Sequence, residues 1–86
     1  MDKPDKQSIE NQLKSIIFDR LDIKLENIKS DSHIKNDLGI DSFGAVELIF
    51  EIKDKFGIII EDRELKSLGT IKDIVNLIFN KNKEDW

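Results

Sequence analysis

The chain has 86 residues, no cysteine, and 18 acidic against 14 basic residues, for a net charge of −4. That excludes a disulfide framework or thiolate metal site, and argues against a binder of nucleic-acid phosphates, which would present a basic surface. No apolar run approaches membrane-spanning length and the first dozen residues are polar, so neither a secretory signal nor membrane insertion is expected.

The whole of residues 1–86 reads as one small cytoplasmic domain. A chain this short buries about 60–65% of its extended surface, so its stability must come from well-patterned helices. Residues 1–6, with Pro4 among them, read as a frayed lead-in. Apolar residues then fall at Ile9, Leu13, Ile16, Ile17 and Leu21, the spacing of one helical face, predicting a first helix from Gln7 to Leu21. Asp22 to Asp41 has no sustained period, yet scatters Ile23, Leu25, Ile28, Ile34, Leu38 and Ile40 among polar residues. So long a connection in a small domain is often functional. Its aliphatics imply that it packs across the helices, with one helical turn near Leu25–Lys29.

The clearest element is a second helix from Ser42 to Phe56, stopped by Gly57. Ile58, Ile59 and Ile60 are β-branched, but no second strand exists to pair with them, so a strand is rejected. A short helix follows, from Glu61 or Asp62 to Leu68, ended by Gly69. Thr70 with Asp73 three residues on resembles a capping box, and Ile71, Ile74, Val75 and Ile78 predict a last helix over Ile71–Phe79. Residues 80–86 read as a frayed polar tail, with Trp86 an end residue and not a binding anchor. The fold class is all-α: a small four-helix bundle, three main helices and one short, with a long loop between the first two.

Turning residues about 100° apart around the second helix separates three stripes. Ala45, Leu48, Ile49, Ile52 and Phe56 form the core face. Glu47, Glu51 and Asp54 gather nearly opposite as an acidic stripe toward solvent, diluted by Lys53 and Lys55. Phe43, Val46 and Phe50 make a second apolar line beside the acids. Clustered exposed aromatics are costly without a partner, so Phe43 is read as partner-binding, while Val46 suits core and partner strip equally. At the head of this helix, Asp41 and Ser42 both suit a helix cap. Ser42 equally suits an attached anionic group, because the first backbone N–H groups of a helix are unpaired and carry partial positive charge.

The segment Asp37-Leu38-Gly39-Ile40-Asp41-Ser42-Phe43-Gly44-Ala45-Val46-Glu47-Leu48 resembles the D-L-G-x-D-S-L-x-x-V-E-L motif of acyl carrier proteins. Phe56-Gly57, Ile60-x-Asp62 and Thr70-Ile71-x-Asp73 extend the likeness over essentially the whole chain. The resemblance implies a non-enzymatic monomer bearing 4′-phosphopantetheine on Ser42, delivered from coenzyme A by a Mg²⁺-dependent phosphopantetheinyl transferase that also recognises Asp41. Acyl groups would ride as thioesters for fatty-acid, polyketide or related lipid biosynthesis. Phe43, Val46, Glu47, Phe50, Glu51 and Asp54 would meet acyl-loading and acyl-processing enzymes, and Leu48, Ile52, Ile60, Leu65 and Leu68 would line an acyl cavity. Phe43 in place of leucine, and Gly44 in place of an acidic residue, depart from the pattern.

A carrier of D-alanine or another amino acid is one alternative. An unmodified helical adaptor binding through Phe43, Val46 and Phe50 is another. A serine hydrolase is excluded: Ile40 stands where G-x-S-x-G needs its first glycine, and the single histidine, His33, lies upstream in the loop. The acidic residues also lack the alternating spacing of a calcium loop, so no metal site is expected.

Overall fold

Asp5 starts the first helix: its carboxylate accepts the Ser8 N–H at 2.8 Å, answering one of the orphan donors of the first turn. In the computed structural model, which describes residues 5–84, the elements run α1 Lys6–Leu21, α2 Ser42–Phe56, α3 Asp62–Lys66 and α4 Ile71–Glu84. One 3₁₀ turn, Leu25–Asn27, sits in the first connection where a helical turn is expected. No strand occurs among the described residues, only a single bridge between His33 and Thr70. Pro4 and Trp86 lie outside the described residues.

α1 packs on α4 and α2, and α3 on α2. Each contributes one stripe to a common core: Ile9, Leu13 and Ile17 from α1, Leu48 and Ile52 from α2, Ile71, Ile74 and Ile78 from α4. Gly57 closes α2 in the left-handed region at φ 69°, its N–H donating to the Lys53 carbonyl at 2.9 Å.

Two boundaries correct the sequence reading. The lead-in expected through residue 6 already holds the helix cap at Asp5 and the first helical residue, Lys6. The tail expected from Asn80 is helical through Glu84. The apolar period ends at Phe79, but no glycine or proline stops the backbone, and Lys81 reaches across to Glu64 at 3.3 Å.

The long connection is bound to the rest of the molecule by its backbone. The Ser32 and Ser30 carbonyls accept the Ile71 and Lys72 N–H groups at 3.1 and 2.9 Å, so the loop caps the start of α4. The Ile34 N–H donates to the Gly69 carbonyl at 2.8 Å. Ile28, Ile34, Leu38 and Ile40 are buried beneath. These four aliphatics explain how a segment without periodicity is nevertheless ordered.

Asp73 completes the same junction. Its Oδ2 accepts the Thr70 and Gly69 N–H groups, each at 3.0 Å, and these two bonds, Thr70's foremost, hold its carboxyl below the usual 3.8. A depressed folded pKa contributes stability above the unfolded pKa and loses it as pH falls through the folded value. Asp73→Asn should therefore cost about 1 kcal/mol near neutrality, with its melting-temperature gap to wild type closing as the pH drops below the ordinary carboxylate range. A gap that persisted at the lowest pH would assign the loss to shape and not to the charged cap.

Candidate functional site

Two acceptors compete for the start of α2, and one of them takes it. Asp41 occupies the cap in extended conformation, and its Oδ1 accepts the Gly44 N–H at 3.0 Å. Ser42 is thereby the first helical residue, exposed, with its hydroxyl outside the cap. The preceding turn is wound to deliver it there. The His33 carbonyl accepts the Asp37 and Leu38 N–H groups, Gly39 adopts φ 68°, and the Ile40 N–H returns to the Ile34 carbonyl at 3.1 Å. Asn36 closes the turn by donating its N–H to His33 Nδ1 at 3.1 Å, giving the single histidine a structural place.

Beside Ser42 lies a hollow of about 640 Å³, walled by the loop at His33–Lys35, the start of α2, and the stretch from Leu65 to Gly69. Its apolar lining is Ile34, Ile40, Ala45, Leu65 and Leu68. Of the residues expected around an acyl cavity, Leu65 and Leu68 are brought to this hollow with Ser42. Leu48, Ile52 and Ile60 are not: they are fully buried in the core. The loop's contribution is not legible in the sequence because the hollow is assembled from segments far apart in it, while Ala45, read as core, also faces the hollow.

Around the helix, Phe43 and Phe50 are 81% and 69% exposed, and Val46 is exposed with them. With Glu47 they line a shallow groove, which settles Val46 as surface and not core. Asp54 is exposed as expected. Glu51 corrects the reading of a solvent-facing acidic stripe: it is only 8% exposed and pairs with Arg20 of α1 at 3.1 Å. One helical turn separates Glu47 from Glu51, but α1 crosses over the second and leaves the first half-open. Gly44 is explained by the same crowding, since a Cβ there would sit 3.2 Å from Ile40 Cγ2 and 3.5 Å from Leu21 Cδ2.

Residues 11–78 match the family model described as a phosphopantetheine attachment site. The acyl carrier protein of Buchnera aphidicola subsp. Acyrthosiphon pisum (strain 5A) is 42% identical over 76 residues, covering 88% of this chain and 95% of that one. The chain belongs to the acyl carrier protein family. The acyl carrier protein of Chloroherpeton thalassium is 39% identical over 75 residues, covering 87% of this carrier and 94% of its own length. In fold, the carrier superposes on the crystal structure of an acyl carrier protein from Thermotoga maritima with a TM-score of 0.82 over 94% of both chains, at 23% identity.

Membership makes the chain a carrier and not an enzyme, with a covalently attached 4′-phosphopantetheine as its prosthetic group. A phosphopantetheinyl transferase and acyl-handling enzymes are its partners. The matches favour neither the amino-acid carrier nor the unmodified adaptor. No helix among the described residues is long and apolar enough to cross a membrane.

Proposed function

We propose that Ser42 is the attachment point of the prosthetic group, and that the carrier serves fatty-acid or closely related lipid biosynthesis. The supporting observation is the division of labour at the start of α2: Asp41 holds the cap and leaves the Ser42 hydroxyl free, beside an apolar-floored hollow. The helix N-terminus favours the phosphate that would sit on Oγ. When bound, the arm supplies a distal thiol that carries acyl groups as thioesters. The hollow gives such a group a place to lie, and Asp41 is the neighbour the transferase would read. The test is incubation with coenzyme A, Mg²⁺ and a broad-specificity phosphopantetheinyl transferase, followed by intact mass and peptide mapping. One phosphopantetheine on Ser42 supports the reading; none, on folded protein with a working control, defeats it.

Docking to acyl-loading and acyl-processing enzymes is assigned to Phe43, Val46, Glu47 and Phe50, with Asp54 further along α2 and Glu51 withdrawn into its pair with Arg20. The net charge of −4 supports a monomer, since like charge keeps copies apart, and the carrier is placed in the cytoplasm as part of the same reading. Phe43→Ala should weaken partner binding by about tenfold or more while the helical signal stays native, because its ring is largely in solvent. A large loss of helicity would overturn that assignment. Glu47→Lys should slow association with basic partners, and the gap should shrink as salt rises. A salt-independent gap would rule out electrostatic steering.

A further inference from the structure

We infer that the hollow beside Ser42 is a subsite for acyl groups that end in a carboxylate, held by Lys35 and Lys66. The inference deepens the proposed function and rests on Ser42 as the attachment point. The chain as a whole is net −4, yet the charged side chains lining the hollow reverse that sign. Lys35 enters from the loop and Lys66 from the end of α3, two of the three walls. The one carboxylate there, Asp41, is engaged as the cap of α2. Among the described residues Lys35 makes no ion pair. Lys66 pairs with Asp62 at 2.9 Å, but both side chains are about half exposed, so the pair is weak and readily exchanged.

An acyl chain lying on Ile34, Leu65 and Leu68 satisfies the apolar floor. A neutral end group would leave the Lys35 ammonium with water and Lys66 with its exposed partner Asp62. A carboxylate gains charge-assisted hydrogen bonds there, on a surface that elsewhere repels it. The arm's own phosphate is a poorer match for the lysines, because it would already be fixed on Oγ at the start of α2, facing that helix's free N–H groups.

The test loads the carrier with adipoyl- or hexanoyl-phosphopantetheine, equal in length and differing in the terminal carboxylate. Hydroxylamine cleavage of each thioester is timed, and each rate is divided by that of the same acyl group on coenzyme A. We expect the adipoyl thioester to be protected about fivefold more than the hexanoyl. That ratio should fall to about one in Lys35→Gln/Lys66→Gln and stay unchanged in Lys24→Gln/Lys53→Gln, which removes the same charge elsewhere. Asp62→Asn, which frees Lys66, should raise it. Equal protection of the two thioesters in the wild type overturns the subsite. So does a ratio that survives in the first double variant, or one lost equally in the second. Equal loss of protection for both cargoes in the first double variant would mean that the lysines serve the arm's phosphate, and also overturns it. Failure to load Ser42 at all is separate: it removes the proposed attachment point, and this subsite with it.

Discussion

Ser42→Ala should abolish loading completely and leave the fold almost untouched. The transferase reaction needs the Oγ through which the phosphodiester forms, so intact mass after incubation should equal that of the apo-protein. Stability should change by no more than about 0.5 kcal/mol, because Ser42 is exposed and the cap of α2 belongs to Asp41. Asp41→Ala should show the converse pattern. Removing the cap costs about 1 kcal/mol, visible as a lower melting temperature, while loading is slowed and not lost. Ser67, which lines the same hollow, is the internal control. A phosphopantetheine mapped to Ser67 or any other serine in Ser42→Ala would remove Ser42 from its role.

Leu48→Ala should have the largest effect on stability. The side chain is wholly buried on the core face of α2, and truncating such a leucine costs about 2–5 kcal/mol. A chain of 86 residues has only about 4–13 kcal/mol in total, so the variant should melt at a much lower temperature and populate unfolded chain near physiological conditions. The same experiment decides whether Leu48 borders the path of the cargo. The truncation leaves a cavity one helical turn from Ala45, which lines the hollow. A medium-length acyl group on the arm that fills this cavity should recover part of the loss, so the deficit is expected to be smaller in the loaded protein than in the apo form. An equal deficit in both would confine Leu48 to plain core.

Helix period and punctuation made most of the fold legible. α2 has the expected ends because its signals agree: a cap residue at Asp41, a glycine at Gly57, and an unbroken helical period of core residues between. α4 was legible at its start, through Thr70 and Asp73, but not at its end. Its continuation past Phe79 rests on the absence of a breaker and on a long-range pair from Lys81 to Glu64, neither of which periodicity registers. The start of α1 was visible in principle, since Asp5 stands three residues before Ser8.

At the site, the sequence singled out Ser42 and the partner-facing Phe43, with Phe50 added by the family resemblance. It misplaced Glu51, because a helical wheel knows angle but not which neighbouring helix crosses at which height. Arg20, thirty-one positions away in sequence (51 − 20), decides that residue's environment. The hollow was only half legible for the same reason. Leu65 and Leu68 are local to one short helix and its exit, but Ile34 and Lys35 reach the site only through the hydrogen bond from the Ile34 N–H to the Gly69 carbonyl.

That bond and its two companions at Ile71 and Lys72 make the molecule mechanically uneven. One wall of the hollow is riveted to a fourteen-residue helix; another is α3, five residues long and too short to hold itself together without tertiary support. In amide exchange, Ile71 and Lys72 should open only with the bundle as a whole, and the backbone of Leu65 and Lys66 long before it. A bulkier cargo would then be expected to make room by displacing α3 and its exit first, while the loop joined to α4 keeps its shape.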